Sequence, residues 1–357
     1  MVVMVGVDVY KDTHCAVAVD QVGRQLGKAL TVRPTDAGHL QLLRWAQRHG
    51  QERGGVVIAV EDCRHVSGRL ERALLAAGAK VLRVPPKLMA GARASARSRG
   101  KSDPIDALAI GRAALREPNL PLAEHIHASR QLKLLVDHRE DLVNSRTRVQ
   151  NRLRWHLHDL DPALAPKARS LDSMSVLAQL ERRLRDLAPD GVLRTVQRIA
   201  IELVADVREL TVRARALEKE LQALVTAHAR QLLALPGCGV LTAAKIAGET
   251  ANPSRFRSEA CFAMHAGVAP IPASSGRTNR HRLARGGNRQ LNAALHRIAL
   301  TQTRLDGPGR TYYQHRLHMQ NTKPEALRAL KRRLARVVFT RLQPTKPATA
   351  APLRKAA

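Results

Sequence analysis

The sequence predicts a mixed α/β domain at the N-terminus, an α-helical or coiled-coil spacer, and a mainly α C-terminal domain. Three observations predict this order. Short β-branched runs alternate with helical periods over residues 1–125. Leucine and valine recur at helical spacing over 126–230, and a Pro-Gly-x-Gly turn opens a new helical pattern over 231–342. The last stretch, 343–357, is rich in Pro, Ala and Lys and reads as a disordered tail.

Val2 to Val7 is a continuous β-branched run that ends at Asp8. Ala16 to Val19 and Gln25 to Val32 follow, with Asp20 and Gly23 as turn residues, so an antiparallel meander is expected. Thr35-Asp36 starts a helix with apolar positions at Leu40, Leu43 and Trp45-Ala46, and Gly54-Gly55 stops it. Val56 to Val60 reads as a buried strand delivering Glu61. A second helix over Val66 to Ala77, a fifth strand over Val81 to Val84, and a stop at Pro85-Pro86 complete the pattern.

Next comes Lys101-Ser102-Asp103-Pro104-Ile105-Asp106. With Asp103 as N-cap and Pro104 at the first helical position, Asp106 falls three residues on, and both carboxylates share one face of the first turn. Alone, this is an ordinary capping box. Asp8 and Glu61, each ending an apolar strand, add the second reading. In a β-β-β-α-β-α-β-α order, strand ends and a helix N-terminus can meet at one sheet edge, and four carboxylates there make a metal site. The order resembles the ribonuclease-H-like (RuvC-like) fold, whose equivalent acids hold divalent ions for phosphodiester chemistry. Upstream, Arg93, Arg97, Arg99 and Lys101 alternate with small residues, as a phosphate-binding loop or a solvated one.

From about Ala128 to Leu160 a basic amphipathic helix is expected, with Arg139, Arg146, Arg148, Arg152 and Arg154 between its leucines, to clamp RNA or DNA or to pack against a partner helix. Arg146 and Arg152 are its candidate nucleic-acid contacts. Leu203 to Val225 is near-heptad, which suits an antiparallel hairpin or a short coiled coil that sets oligomeric geometry, or equally an ordinary intramolecular bundle. Leu235-Pro236-Gly237-Cys238-Gly239-Val240 then resembles a helix-hairpin-helix turn, whose glycines let backbone N–H groups approach a phosphate, or is a plain interhelical turn. Ser275-Gly276 follows in a Pro/Gly-bounded loop, before Arg277, Arg280, Arg282 and Arg285 and a helix over Leu291 to Leu300. The serine is a nucleophile beside phosphate-neutralising arginines, or a turn residue in a basic loop; spacing does not decide.

Sixty Lys and Arg against thirty Asp and Glu leave a formal charge of +30 over 357 residues. A polyanion is the expected partner, nucleic acid before membrane. Aromatics make up only 2 %, which excludes rows of base-stacking rings and leaves phosphate contacts dominant. The four cysteines show no zinc-ligand spacing and read as thiols of a reducing compartment. Neither a signal peptide nor an apolar run of about 18 residues is present, so a cytoplasmic protein without a membrane partner is expected.

Together these motifs resemble the DEDD insertion-sequence transposases (the IS one-ten family) from Val2 to about Leu342. The matching pieces are Gly-Val-Asp8, Val-Glu61, Lys-Ser-Asp103-Pro-x-Asp106, Leu-Pro-Gly-x-Gly, Ala-Gly-x-x-Pro270, Ser275-Gly276 and Arg-Gly-Gly-Asn288-x-x-Leu. The resemblance implies a RuvC-like domain joined through a helical spacer to a C-terminal serine transposase domain. It implies Asp8, Glu61, Asp103 and Asp106 as ligands of Mg²⁺ (or Mn²⁺), and Ser275 as the nucleophile of a covalent link to DNA. Donor and target DNA, a guide (bridge) RNA from the element itself, and a homo-oligomer of two to four chains combining domains from different subunits are implied as partners. Asp62 adjoins Glu61 and Ser274 adjoins Ser275, so each assignment has a neighbour one residue away. The alternatives are a Holliday-junction-type endonuclease using water as nucleophile, and a non-catalytic nucleic-acid-binding protein.

Overall fold

The computed structural model of the chain describes residues 2–51, 53–61, 64–85, 88, 102–117, 120, 122–123, 127–167, 170–274, 281–284 and 286–343. They fall into two compact units, 1–125 and 126–357.

The first unit is built on a five-stranded mixed sheet. Its strands are β1 (Val3–Val9), β2 (His14–Val19), β3 (Leu30–Val32), β4 (Val56–Glu61) and β5 (Lys80–Val84), in the order β3-β2-β1-β4-β5. β1 is antiparallel to β2 and parallel to β4, and β4 is parallel to β5. Helices α1 (Asp36–Gln51), α2 (Arg64–Ala76) and α3 (Asp103–Arg116) complete the unit. Alternation along β1 sorts its side chains between two cores. Val3, Val5, Val7 and Val9 pack with Leu42 and Ala46 of α1 and with Leu70 and Leu74 of α2. Met4, with Val17 and Ala59, packs against Ala107 and Ile110 of α3 on the opposite face. This strand order and layering are those of the ribonuclease-H-like fold.

β3 is shorter than the run Gln25 to Val32 suggests. Gly27 adopts φ +71°, which an extended ladder does not accommodate, and only an isolated bridge from Gln25 to Val19 precedes it. α1 starts as read: the Thr35 hydroxyl accepts the Gly38 N–H at 3.2 Å.

The second unit is helical, and it contains both the segment read as spacer and the segment 231–342. Its backbone is a hairpin of α4 (His127–Leu160) and α6 (Gly191–His228), with the short α5 (Met174–Arg185) against one end. There Leu153, Leu157, Leu177, Leu184, Val204 and Val207 form one core. At the other end, Leu132 and Val136 of α4 meet Leu221 and Val225 of α6 in a second core. That core also takes α7 (Arg230–Leu233), α8 (Val240–Thr250), α9 (Glu259–His265), α10 (Arg289–Gln302), α11 (Pro308–His318) and α12 (Lys323–Leu342). Two-residue strands β6 (Ile271–Pro272) and β7 (His281–Arg282) pair antiparallel between α9 and α10. Among the described residues no helix is long and apolar enough to cross a membrane.

Candidate active site

Asp8 and Glu61 are each the next residue after the pair Val7–Val60 on the parallel strands β1 and β4. Neighbouring strands run about 4.8 Å apart, and residues level with one another point to the same face. Asp8 shares its face with Met4, and Glu61 shares its face with Ala59; both of those residues pack against α3. The first turn of α3 carries Asp103 and Asp106. Four carboxylates therefore belong to one side of one sheet edge.

The close approach of α3 to the sheet depends on glycine. A Cβ on Gly6 would stand 2.1 Å from the Ala107 carbonyl oxygen and 2.4 Å from the Gly111 nitrogen. Only a bare backbone lets the helix sit there, with Asp106 just 5 % exposed and Asp103 exposed to solvent. Cys15, level with Asp8 on β2, lies on the same face. Burial pushes its thiol up, and the charges of Asp103 and Asp8 add to the shift.

The helix start differs from expectation by one residue. Ser102, at φ −153° and ψ 154°, is the N-cap and makes no side-chain capping bond; Asp103 is the first helical residue. The capping-box reading of Asp103 and Asp106 is therefore not realised. The donor chemistry, hard carboxylate oxygens only, fits Mg²⁺ or Mn²⁺. Among the described residues, however, no three His, Cys, Asp or Glu side chains come together closely enough to hold a metal ion.

In the second unit, β6 and β7 bracket the segment 273–280. Ser275, Arg277 and Arg280, together with Arg285 and the basic group Arg93, Arg97, Arg99 and Lys101, lie outside the described residues. Gly287 packs so tightly on Gly267 that a Cβ would come within 2.3 Å of its backbone. Asn288 caps α10 by accepting the Leu291 N–H at 2.9 Å, and it donates to Glu249 Oε2 at 2.6 Å. The Pro-Gly-x-Gly turn joins α7 to α8, with Gly237 at φ +82° against Thr301 of α10.

Two of the three described basic candidates face solvent. Arg152 and Arg282 are exposed. Arg146 is not an outward cation: it donates to the Thr211 hydroxyl at 3.3 Å and pairs with Asp172 at 3.3 Å. Arg139 likewise binds Glu218 across the hairpin at 2.5 Å. The helical period shows which residues lie beside the apolar stripe, but not the long-range acids that claim them.

Sequence reading also missed a network where α4 meets α8. Lys245, only 2 % exposed, donates to Asp137 and Glu140, each at 2.9 Å. Lys133 pairs with Asp137 at 2.9 Å and also with Glu249, the Asn288 partner. Burial would raise the Asp137 carboxyl, but hydrogen bonds and charge from Lys245 and Lys133 outweigh it and hold it below the usual range. A lysine inside the apolar run Leu241 to Ala247, and acids spaced i, i+3 at Asp137 and Glu140, were the available signals.

A family model described as a transposase matches residues 5–162, and one described as the transposase IS116/IS110/IS902 family matches residues 229–314. The chain is 30 % identical over 395 residues to the 44.8 kDa protein of insertion element IS116 from Streptomyces clavuligerus, covering 98 % of this chain and 97 % of the relative. The IS900 protein of Mycobacterium paratuberculosis is 29 % identical, covering 96 % of each chain. Among solved structures, Thermus thermophilus RuvC bound to a Holliday junction substrate is similar at 16 % identity and a TM-score of 0.27, covering 34 % of this chain and 100 % of that one. With relatives matched over nearly their whole length and family models at both ends, the chain belongs to the IS110/IS116 family of transposases.

Proposed function

We propose that this transposase is a DNA recombinase that excises and inserts a mobile element, guided by an element-encoded RNA and working as a homo-oligomer of two to four chains. The observation that carries the reading is the shared sheet edge, with Asp8 and Glu61 beside the helix start that bears Asp103 and Asp106. Asp8, Glu61, Asp103 and Asp106 would hold Mg²⁺ or Mn²⁺. When bound, such an ion polarises the scissile phosphate. Ser275 is the nucleophile. Its Oγ forms a bond to phosphorus while the bond from phosphorus to the departing sugar oxygen breaks; the seryl proton is lost to solvent and the departing oxygen takes one up. Arg277, Arg280, Arg282 and Arg285 neutralise the charge that builds on the phosphate. The Pro-Gly-x-Gly turn serves as a helix-hairpin-helix contact to the DNA backbone, and the +30 chain holds guide RNA and DNA together.

The test combines purified protein, RNA transcribed from the flanking element, and labelled donor and target DNA in Mg²⁺, read on a denaturing gel for protein-linked DNA. Wild type yields the adduct, Ser274→Ala keeps it, and Ser275→Ala loses it. Asp8→Asn lowers cleavage by roughly a hundred- to a thousand-fold. Cleavage that survives Ser275→Ala without an adduct, yet disappears in Asp8→Asn, would establish a water-using junction nuclease instead. Salt-sensitive binding with no cleavage would leave only a binding protein.

A further inference from the structure

Trp155 is one of two tryptophans in the chain, and it stands 76 % exposed on α4. The other, Trp45, is half-buried against the His49 ring, with centroids 4.4 Å apart. Trp155 is thus an aromatic plane held out to solvent by a helix. At 100° per residue, Arg148, Arg152 and Trp155 fall within an arc of about 60° and span about 10 Å along the axis. That face lies away from Leu153 and Leu157, which are fully buried in the hairpin core.

The surroundings of the ring indicate what covers it. Asn151, Arg152, His158 and Asp159, its neighbours one turn away on α4, are all exposed and none of them is apolar. A protein interface would place an anchoring tryptophan inside an apolar patch. A flat ring with two guanidinium groups on its N-terminal side, and only His158 and Asp159 on the other, instead complements a nucleobase whose phosphates run to one side of it, toward the arginines. Duplex DNA keeps its bases stacked on one another, so an unpaired base is the matching form.

We infer that the Arg148–Arg152–Trp155 face of α4 binds a single-stranded nucleic-acid segment, with one unpaired base stacked on the Trp155 indole and adjoining phosphates on the two arginines. The inference deepens the proposed function, because it rests on nucleic acid being the partner of the helical unit.

The experiment uses the full chain carrying Trp45→Phe, so that Trp155 is the sole indole emitter. Decamers of uridylate and thymidylate, and a blunt DNA duplex, are titrated at low salt. Emission reports stacking, and the anisotropy of an end-labelled oligonucleotide reports binding. Single strands quench Trp155 and the duplex does not. Trp155→Ala weakens single-strand binding roughly 5- to 150-fold and leaves duplex binding unchanged, while Trp155→Phe retains most of it. Quenching by uridylate alone assigns the site to RNA, and quenching by thymidylate alone assigns it to a DNA strand; either supports the inference. Single strands that bind without quenching, and equally well to Trp155→Ala, overturn it while leaving the recombinase reading intact. Emission that shifts with protein concentration alone overturns it in favour of contact between copies. Failure of every nucleic acid to bind overturns both readings.

Discussion

His14 and His39 stack with their centroids 5.5 Å apart in the first unit, at 1 % and 2 % exposure. Among the described residues, His14 Nε2 and both His39 nitrogens have no hydrogen-bond partner. Burial lowers the pKa of both; the His39 charge adds to it for His14, and the Arg69 charge adds to it for His39 against an opposing Asp36. The unfolded chain takes up these protons near pH 6.5, whereas the folded one does so only at lower pH. Stability is therefore full above about pH 6.5 and falls as the pH drops, by at most about 1.4 kcal/mol per unit for each ring, levelling off below the folded-state values. Thermal unfolding followed from pH 7.5 to 5.5 checks this, and His39→Phe flattens the slope. Nothing in the sequence marks these histidines, because partners on β2 and α1, with β3 between them, meet only through the tertiary fold. Asp8 and Glu61 were legible for the opposite reason. A carboxylate ending an apolar strand can be read locally, whereas the cap at Ser102 in place of Asp103 depends on backbone angles that the local pattern leaves open.

Among the elements, α3 is held to the sheet through bare backbone. Its contact with β1 is backbone on backbone at Gly6 and Gly111, so Gly6→Ala drives a methyl group into the Ala107 carbonyl. The expected loss is about 1–3 kcal/mol or more, read as a lower urea midpoint, with α3 displaced from the acidic edge. Gly111→Ala meets the Val19 side chain first, at 3.2 Å, and is the milder change. Strands and long helices were readable because β-branched runs and leucine periods are strong local signals, and α4 begins and ends within a residue of its pattern. β3 was overread, since a glycine at positive φ interrupts a stretch that looks continuous in composition. The inward roles of Arg139 and Arg146 were unreadable because Glu218, Thr211 and Asp172 are distant in sequence.

For the molecule as a whole, each unit has hydrophobic clusters of its own: the two faces of the sheet in the first, the two ends of the helical hairpin in the second. Residues 126–357 expressed alone should give a cooperative thermal transition by circular dichroism. Because most of the excess positive charge lies in that unit, it should also bind nucleic acid with an affinity that falls steeply between 50 and 200 mM salt, by roughly 10³-fold or more if six or more phosphates are contacted. A broad, non-cooperative melt would show that the first unit is needed to hold the second together. The hairpin has another property, which is metric. The 38 residues of α6 make a rod about 57 Å long, which laid along B-form DNA would match about 17 base-pair steps. With a core at each end and ion pairs between, its middle is a region where length can change without rebuilding either end. Adding seven residues to both helices would extend it by about 10 Å, or roughly three base-pair steps. The hairpin is, in effect, a yardstick whose graduation is the heptad.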